Sequence, residues 1–185
     1  MTLEDLLLRL VPALESAEVP YMLTGSVASS AHGMPRSTRD LDIVIAPTRA
    51  QLIALMAQFP GSHYYADEQQ ALEALANRSQ FNVIDFASGW KVDFIIAEDS
   101  EHGRSAMLRR KQIELAGNAV YVASAEDVII AKLRWAKQGG SDRQLQDVAG
   151  IASTQGSNLD LAYVERWVRE FSLQQQWQAA REICR

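Results

Sequence analysis

The segment Asp40-Leu41-Asp42-Ile43-Val44-Ile45 constrains this chain more than any other. Its β-branched residues favour an extended backbone, in which Leu41, Ile43 and Ile45 share one face while Asp40, Asp42 and Val44 share the other. The segment is therefore read as a strand with two acids on one side. Aspartates at i and i+2 stand roughly 6 to 7 Å apart on a strand, and a divalent cation between them relieves the repulsion. Carboxylate oxygen suits Mg²⁺ or Mn²⁺, and no His/Cys cluster offers zinc an alternative. Asp-x-Asp also occurs at solvated strand ends, so the pair alone does not define a site.

The surrounding pattern alternates between elements. Thr2 caps a helix over residues 3–17, with Leu3, Leu6, Leu7, Leu10 and Leu14 at helical spacing. Tyr21 to Thr24 reads as a short strand, Gly25 as a turn, and the small residues Ser26 to Ala31 as a helix suited to close packing. Thr48 caps a helix carrying Leu52, Leu55, Met56 and Phe59, which Pro60-Gly61 ends. A short helix is expected over 69–76, a hairpin from 80–86 and 90–96, a helix over 101–110, and β structure over 113–122 broken at Gly117-Asn118.

From Ser124 onward the periodicity is helical, over 128–136, 143–153, 160–171 and 173–183, with caps at Asp142 and Asn158 and a joint at Gly139-Gly140-Ser141. Trp135, Trp167 and Trp177 fall at apolar helical positions and are expected in the core. These elements predict an α/β (or α+β) fold: a mixed sheet of about five strands flanked by helices, with a C-terminal helical bundle. The expected division is a domain over residues 1–123 and a helical region over 124–185.

Composition narrows the function classes. The chain has 185 residues, 48% hydrophobic and 22% charged, enough for one full core and a small satellite. A formal net charge of −5 supplies no overall basic field, which argues against sequence-independent DNA binding. The acidic, amphipathic opening is unlike a secretory signal, and no apolar run is long enough to cross a membrane, so a cytoplasmic protein is expected. Cys184 reads as a free thiol. P-loop, dinucleotide-binding and zinc-protease motifs are missing, and His32, His63 and His102 have no metal-ligand spacing. Arg104, Arg109, Arg110 and Lys111 read as a charged helix face or as a groove for an RNA acceptor.

Gly25-Ser26 sits where a strand hands over to a helix, so free backbone N–H groups and a hydroxyl there can hold phosphate oxygens. Asp93, within Val92-Asp93-Phe94-Ile95-Ile96, is a charge among apolar neighbours and completes a triad if its strand lies beside the first two acids. Gly25-Ser26, Asp40-Leu41-Asp42 and Asp93 together resemble the glycine-serine, paired-aspartate and third-aspartate pattern of the polymerase-β-like nucleotidyltransferase superfamily. The fuller string Thr24-Gly25-Ser26-Val27-Ala28, His32-Gly33 and Arg36 through Asp42 is similar to the small bacterial nucleotidyltransferases associated with toxin–antitoxin and abortive-infection systems.

That resemblance implies that Asp40 and Asp42 hold two Mg²⁺ ions. It implies that Asp93 helps bind one and orients or deprotonates the attacking hydroxyl, and that Gly25 and Ser26 contact the triphosphate. Arg36 and Arg39, leading into the acidic strand, are candidates for triphosphate contacts or counter-charges for Asp40 and Asp42. Glu126 to Leu133, followed by Arg143 and Asp147, resembles the helical segment after the catalytic domain, in which Lys132 reaches a phosphate or pairs with an acid on its own helix. Asp85 rivals Asp93 as third acid. The expected reaction moves a nucleoside monophosphate from an NTP to a hydroxyl of a protein, a tRNA or a small molecule and releases pyrophosphate. The alternative is a non-catalytic, antitoxin-like module that binds a nucleotide or a protein.

Overall fold

Thr2 and Asp5 cap each other reciprocally, Asp5 N–H donating to the Thr2 hydroxyl and Thr2 N–H to the Asp5 carboxylate, and so start the first helix. In the computed structural model, which describes residues 2–183, the elements follow in the order α1 (Leu3–Ser16), β1 (Tyr21–Leu23), α2 (Gly25–His32), β2 (Asp40–Ile45), α3 (Arg49–Met56), β3 (Tyr64–Tyr65), α4 (Glu68–Asn77), β4 (Gln80–Asp85), β5 (Lys91–Ile96), α5 (Glu101–Arg109), β6 (Lys111–Leu115), β7 (Asn118–Val122), α6 (Ala125–Gly139), α7 (Asp142–Gln155), α8 (Leu161–Glu170) and α9 (Gln174–Ile183). Cys184 lies outside the described residues. The chain forms two compact units, one built from the residues up to Thr24 with Thr38–Val122, the other from Gly25–Ser37 with the residues from Ala123 on.

The first unit holds all the strands, in one mixed sheet of order β3-β4-β5-β2-β1-β7-β6. β2 runs antiparallel to β1 and parallel to β5, and β4 returns antiparallel to β5 as the expected hairpin. The sheet has seven strands rather than about five. β3 has only two residues, too few to show alternation in a sequence, and the 113–122 region resolves into two strands. One face of β2 and β5 is sealed: Leu41, Ile43, Ile45 and Phe94 have no solvent exposure. Phe81 stacks on Phe94, with ring centroids 5.1 Å apart. Helix α1 buries Leu6, Leu7, Leu10 and Leu14 and continues through Pro12, which has no N–H to donate to the carbonyl of Leu8.

The second unit is helical. Ser124 caps α6, its hydroxyl accepting from Asp127 N–H, and the Asp127 carboxylate accepts in turn from the Tyr163 hydroxyl at 2.8 Å. Glu126 accepts from Asp160 N–H, so the two buried acids opening α6 tie down the start of α8. The lysine Lys137 donates to the carbonyls of Phe171 and Ser172, where α8 ends. Caps differ from expectation at two helices: α7 follows Ser141, and α8 is capped by Asp160 rather than Asn158. Trp167 and Trp177 are buried as expected, but Trp135 is 55% exposed. Gly33 admits no side chain, since a Cβ there would lie 2.9 Å from the Ile151 backbone nitrogen of α7. His32 reinforces the same contact: its Nε2 lies 2.7 Å from the Ala123 carbonyl, and its own carbonyl accepts from Gln155.

Candidate active site

Strand parity puts the acids on the sheet face opposite the sealed one. In β2 burial alternates with the residues, Leu41, Ile43 and Ile45 inside, Asp40 exposed and Asp42 half-buried. β5 pairs with it in parallel so that Asp42 lies opposite Asp93 and Asp40 opposite Lys91. Asn82 of β4 lies on the other side of Asp93 in the same row. Asp40, Asp42 and Asp93 are thus brought to one face of adjacent strands.

Lys91 is a member of this group that sequence reasoning missed. Its Nζ lies 2.8 Å from Asp93 Oδ2. The hydrogen bond to Asp93 raises the lysine pKa most; partial burial opposes it, and the charges of Asp93, Asp40 and Asp42 add to it. The available signal was its place two residues before Asp93, hence on the same strand face. Arg39 meets β5 through its backbone, its carbonyl accepting from Lys91 N–H.

Among the described residues, no three His, Cys, Asp or Glu side chains stand as a ready-made metal-binding group. By chemical type, the carboxylates of β2 and β5 and the Asn82 amide of β4 that share this row are oxygen ligands of the kind a hard divalent cation takes. Asp85, the rival third acid, is a structural residue. It points to the opposite face, is 2% exposed, and accepts from Arg9, the Ser88 hydroxyl and the Ala87 N–H. Burial pushes its pKa up, but the Ser88 and Ala87 hydrogen bonds and the Arg9 charge outweigh it and hold the carboxyl below its usual range.

The helical unit assembles a second polar cluster from residues picked out in the sequence. Gly25 opens α2 at φ +61°, a conformation that favours glycine, and Ser26 follows it. Arg36 donates to the Ser26 hydroxyl and approaches Asp147 Oδ2 at 3.6 Å. Lys132 is buried rather than on a helix surface, and its Nζ reaches Asp147 at 2.6 Å and Gln144 at 3.1 Å, both on α7. Two cations therefore share one carboxylate, and Arg36 Nε and Nη1 are buried without a hydrogen-bond partner. Unused donors beside a surplus of positive charge suit an anion. Elsewhere, Arg104 pairs with Asp99 at 2.8 Å, and Arg110 donates to the Met107 carbonyl and lies over the Tyr121 ring.

The sequence matches no protein-family model and no curated protein. Its structure is similar to solved ones. ANT(2'')-Ia in complex with adenylyl-2''-tobramycin superposes with a TM-score of 0.62 at 13% identity, over 92% of this chain and 99% of that one. JHP933 from Helicobacter pylori gives 0.51 at 19% identity, over 91% and 72%. An antigenic nucleotidyltransferase-like protein from Paracoccidioides brasiliensis gives 0.50 at 17% identity, over 95% and 92%. With these neighbours and a mixed sheet bearing its acids on two adjacent parallel strands, the chain has the polymerase-β-like nucleotidyltransferase fold.

Proposed function

We propose that the protein is a metal-dependent nucleotidyltransferase that moves a nucleoside monophosphate from an NTP to an acceptor hydroxyl and releases pyrophosphate. One observation carries the reading: Asp40, Asp42 and Asp93 share a sheet face, with Asp42 directly opposite Asp93. These residues would hold Mg²⁺ or Mn²⁺, which when bound offsets the charge developing on the attacking and leaving oxygens at the α-phosphorus. Asp93 also orients the acceptor hydroxyl and takes its proton as the new P–O bond forms and the bond to pyrophosphate breaks. Gly25, Ser26, Arg36, Arg39 and Lys132 are assigned to the triphosphate. Supporting that assignment are the unused Arg36 donors and the second cation, Lys132, on the same carboxylate.

The acceptor is to be sought among small-molecule, protein and tRNA hydroxyls, in the cytoplasm and in the toxin–antitoxin setting that the motif string suggests. ANT(2'')-Ia, solved with adenylyl-2''-tobramycin, makes small molecules the first arm to test. Incubation of the protein with each acceptor class and α-labelled NTPs is expected to give metal-dependent label transfer. Asp42→Ala should reduce it to background, and Asp93→Ala by about 10²–10⁴-fold, with both variants folded. Full transfer by either variant contradicts the assigned roles.

A second reading, a nucleotide-binding module without turnover, is favoured by the Lys91–Asp93 ion pair, which occupies the third acid. Calorimetric binding of Mg-NTP with no turnover would select it.

A further inference from the structure

Four charged side chains form a two-by-two block on parallel strands, Asp40 and Asp42 on β2, Lys91 and Asp93 on β5. Three members of the block are negative and one, Lys91, is positive. It is directly bonded to Asp93, whose side chain is 15% exposed, while Lys91 is 40% exposed on a flexible four-carbon stem. The ammonium can therefore swing into solvent while its strand stays paired. An ammonium and a divalent cation compete for the same carboxylate lone pairs, the first with one charge and three donors, the second with two charges and a demand for oxygen ligands. The Asp93 carboxylate that a cation needs is engaged by Lys91.

We propose that Lys91 is an internal placeholder for a divalent cation, holding Asp93 and offsetting the repulsion among the three acids until a cation displaces it. The inference rests on the reading of these acids as a metal site. It makes Lys91 a positioning residue that weakens the affinity of the bare ion and keeps the acidic face together without one.

Mn²⁺ binding to the nucleotide-free protein, followed by loss of the free-ion paramagnetic resonance signal, tests this without any turnover. Lys91→Met is expected to bind Mn²⁺ about tenfold more tightly than wild type, because one positive charge beside the ion is removed. Lys91→Arg, which keeps the charge, should bind like wild type. In chelator, Lys91→Met should melt below wild type and regain the difference when Mn²⁺ is added. Equal and measurable affinities in wild type and Lys91→Met overturn the placeholder role and leave the metal reading intact. No binding by either overturns both. Should Lys91→Met fail to fold, the Lys91 ammonium nitrogen resonance of the wild type gives the answer: saturating Mg²⁺ is expected to shift or remove it, and an unaltered signal overturns the proposal.

Discussion

Asp85 and Asp93 lie on the two strands of one hairpin, on opposite faces and in different surroundings. The Asp85 carboxylate is buried and answered by two uncharged donors and a guanidinium. Asp85→Ala is expected to lose about 1–3 kcal/mol at neutral pH by urea unfolding, with label transfer per folded molecule unchanged. Because the folded pKa is depressed, this stabilisation is complete above the ordinary value of 3.8 and fades as pH falls through the lower folded value. The gap between wild type and variant should therefore close in acid, and a gap that widens there contradicts the account. The distinction was partly legible in the sequence. Asp85 is in phase with Phe81 and Val83, which face the core, whereas Asp93 is out of phase with Val92 and Phe94. Arg9, 76 residues away, could not be read from spacing, whereas Lys91, two residues before Asp93, could be placed on its strand face though not bonded to it.

At the scale of elements, helices α6 and α7 are joined through their polar faces as well as their apolar ones. Lys132 sits 4% exposed at the junction with Asp147 as its carboxylate partner. Removing that partner leaves a buried ammonium with only Gln144 and an uncancelled Arg36 nearby. Asp147→Ala is expected to cost about 3–5 kcal/mol, read by denaturant unfolding, and Asp147→Asn less, because the amide keeps an acceptor oxygen. A loss below about 0.5 kcal/mol in Asp147→Ala, the range of an exposed pair, contradicts the buried bridge.

Helical periodicity located both helices, since apolar residues recur on one face of each. It did not locate the bridge, because Lys132 lies within the buried stripe of Ile129, Leu133 and Ala136, a position the pattern reserves for apolar residues. Trp135 departs from expectation for a related reason, since its hydrophobicity points to the core and its angular position does not. At about 100° per residue it falls roughly 120° from the centre of that stripe, and the structure leaves it exposed.

For the whole molecule, the alternation of strands and helices was enough to specify an α/β fold, and the acidic face followed from the parity of β2 and β5. The pairing order of the sheet was not accessible, since β2 joins β5 in parallel across 45 intervening residues that include other elements. Nor was the membership of Gly25–Ser37 in the helical unit, which depends on close backbone approaches such as Gly33 to α7. The net charge of −5 sets the acidic background against which any cation must be recognised locally. The most direct measurement is anomalous diffraction at the manganese edge from crystals grown with Mn²⁺ and a non-hydrolysable NTP analogue. The account predicts peaks within about 2.1–2.3 Å of carboxylate oxygens of Asp40, Asp42 and Asp93, with the Lys91 ammonium withdrawn from Asp93. Bound nucleotide with no metal on these three residues would contradict it.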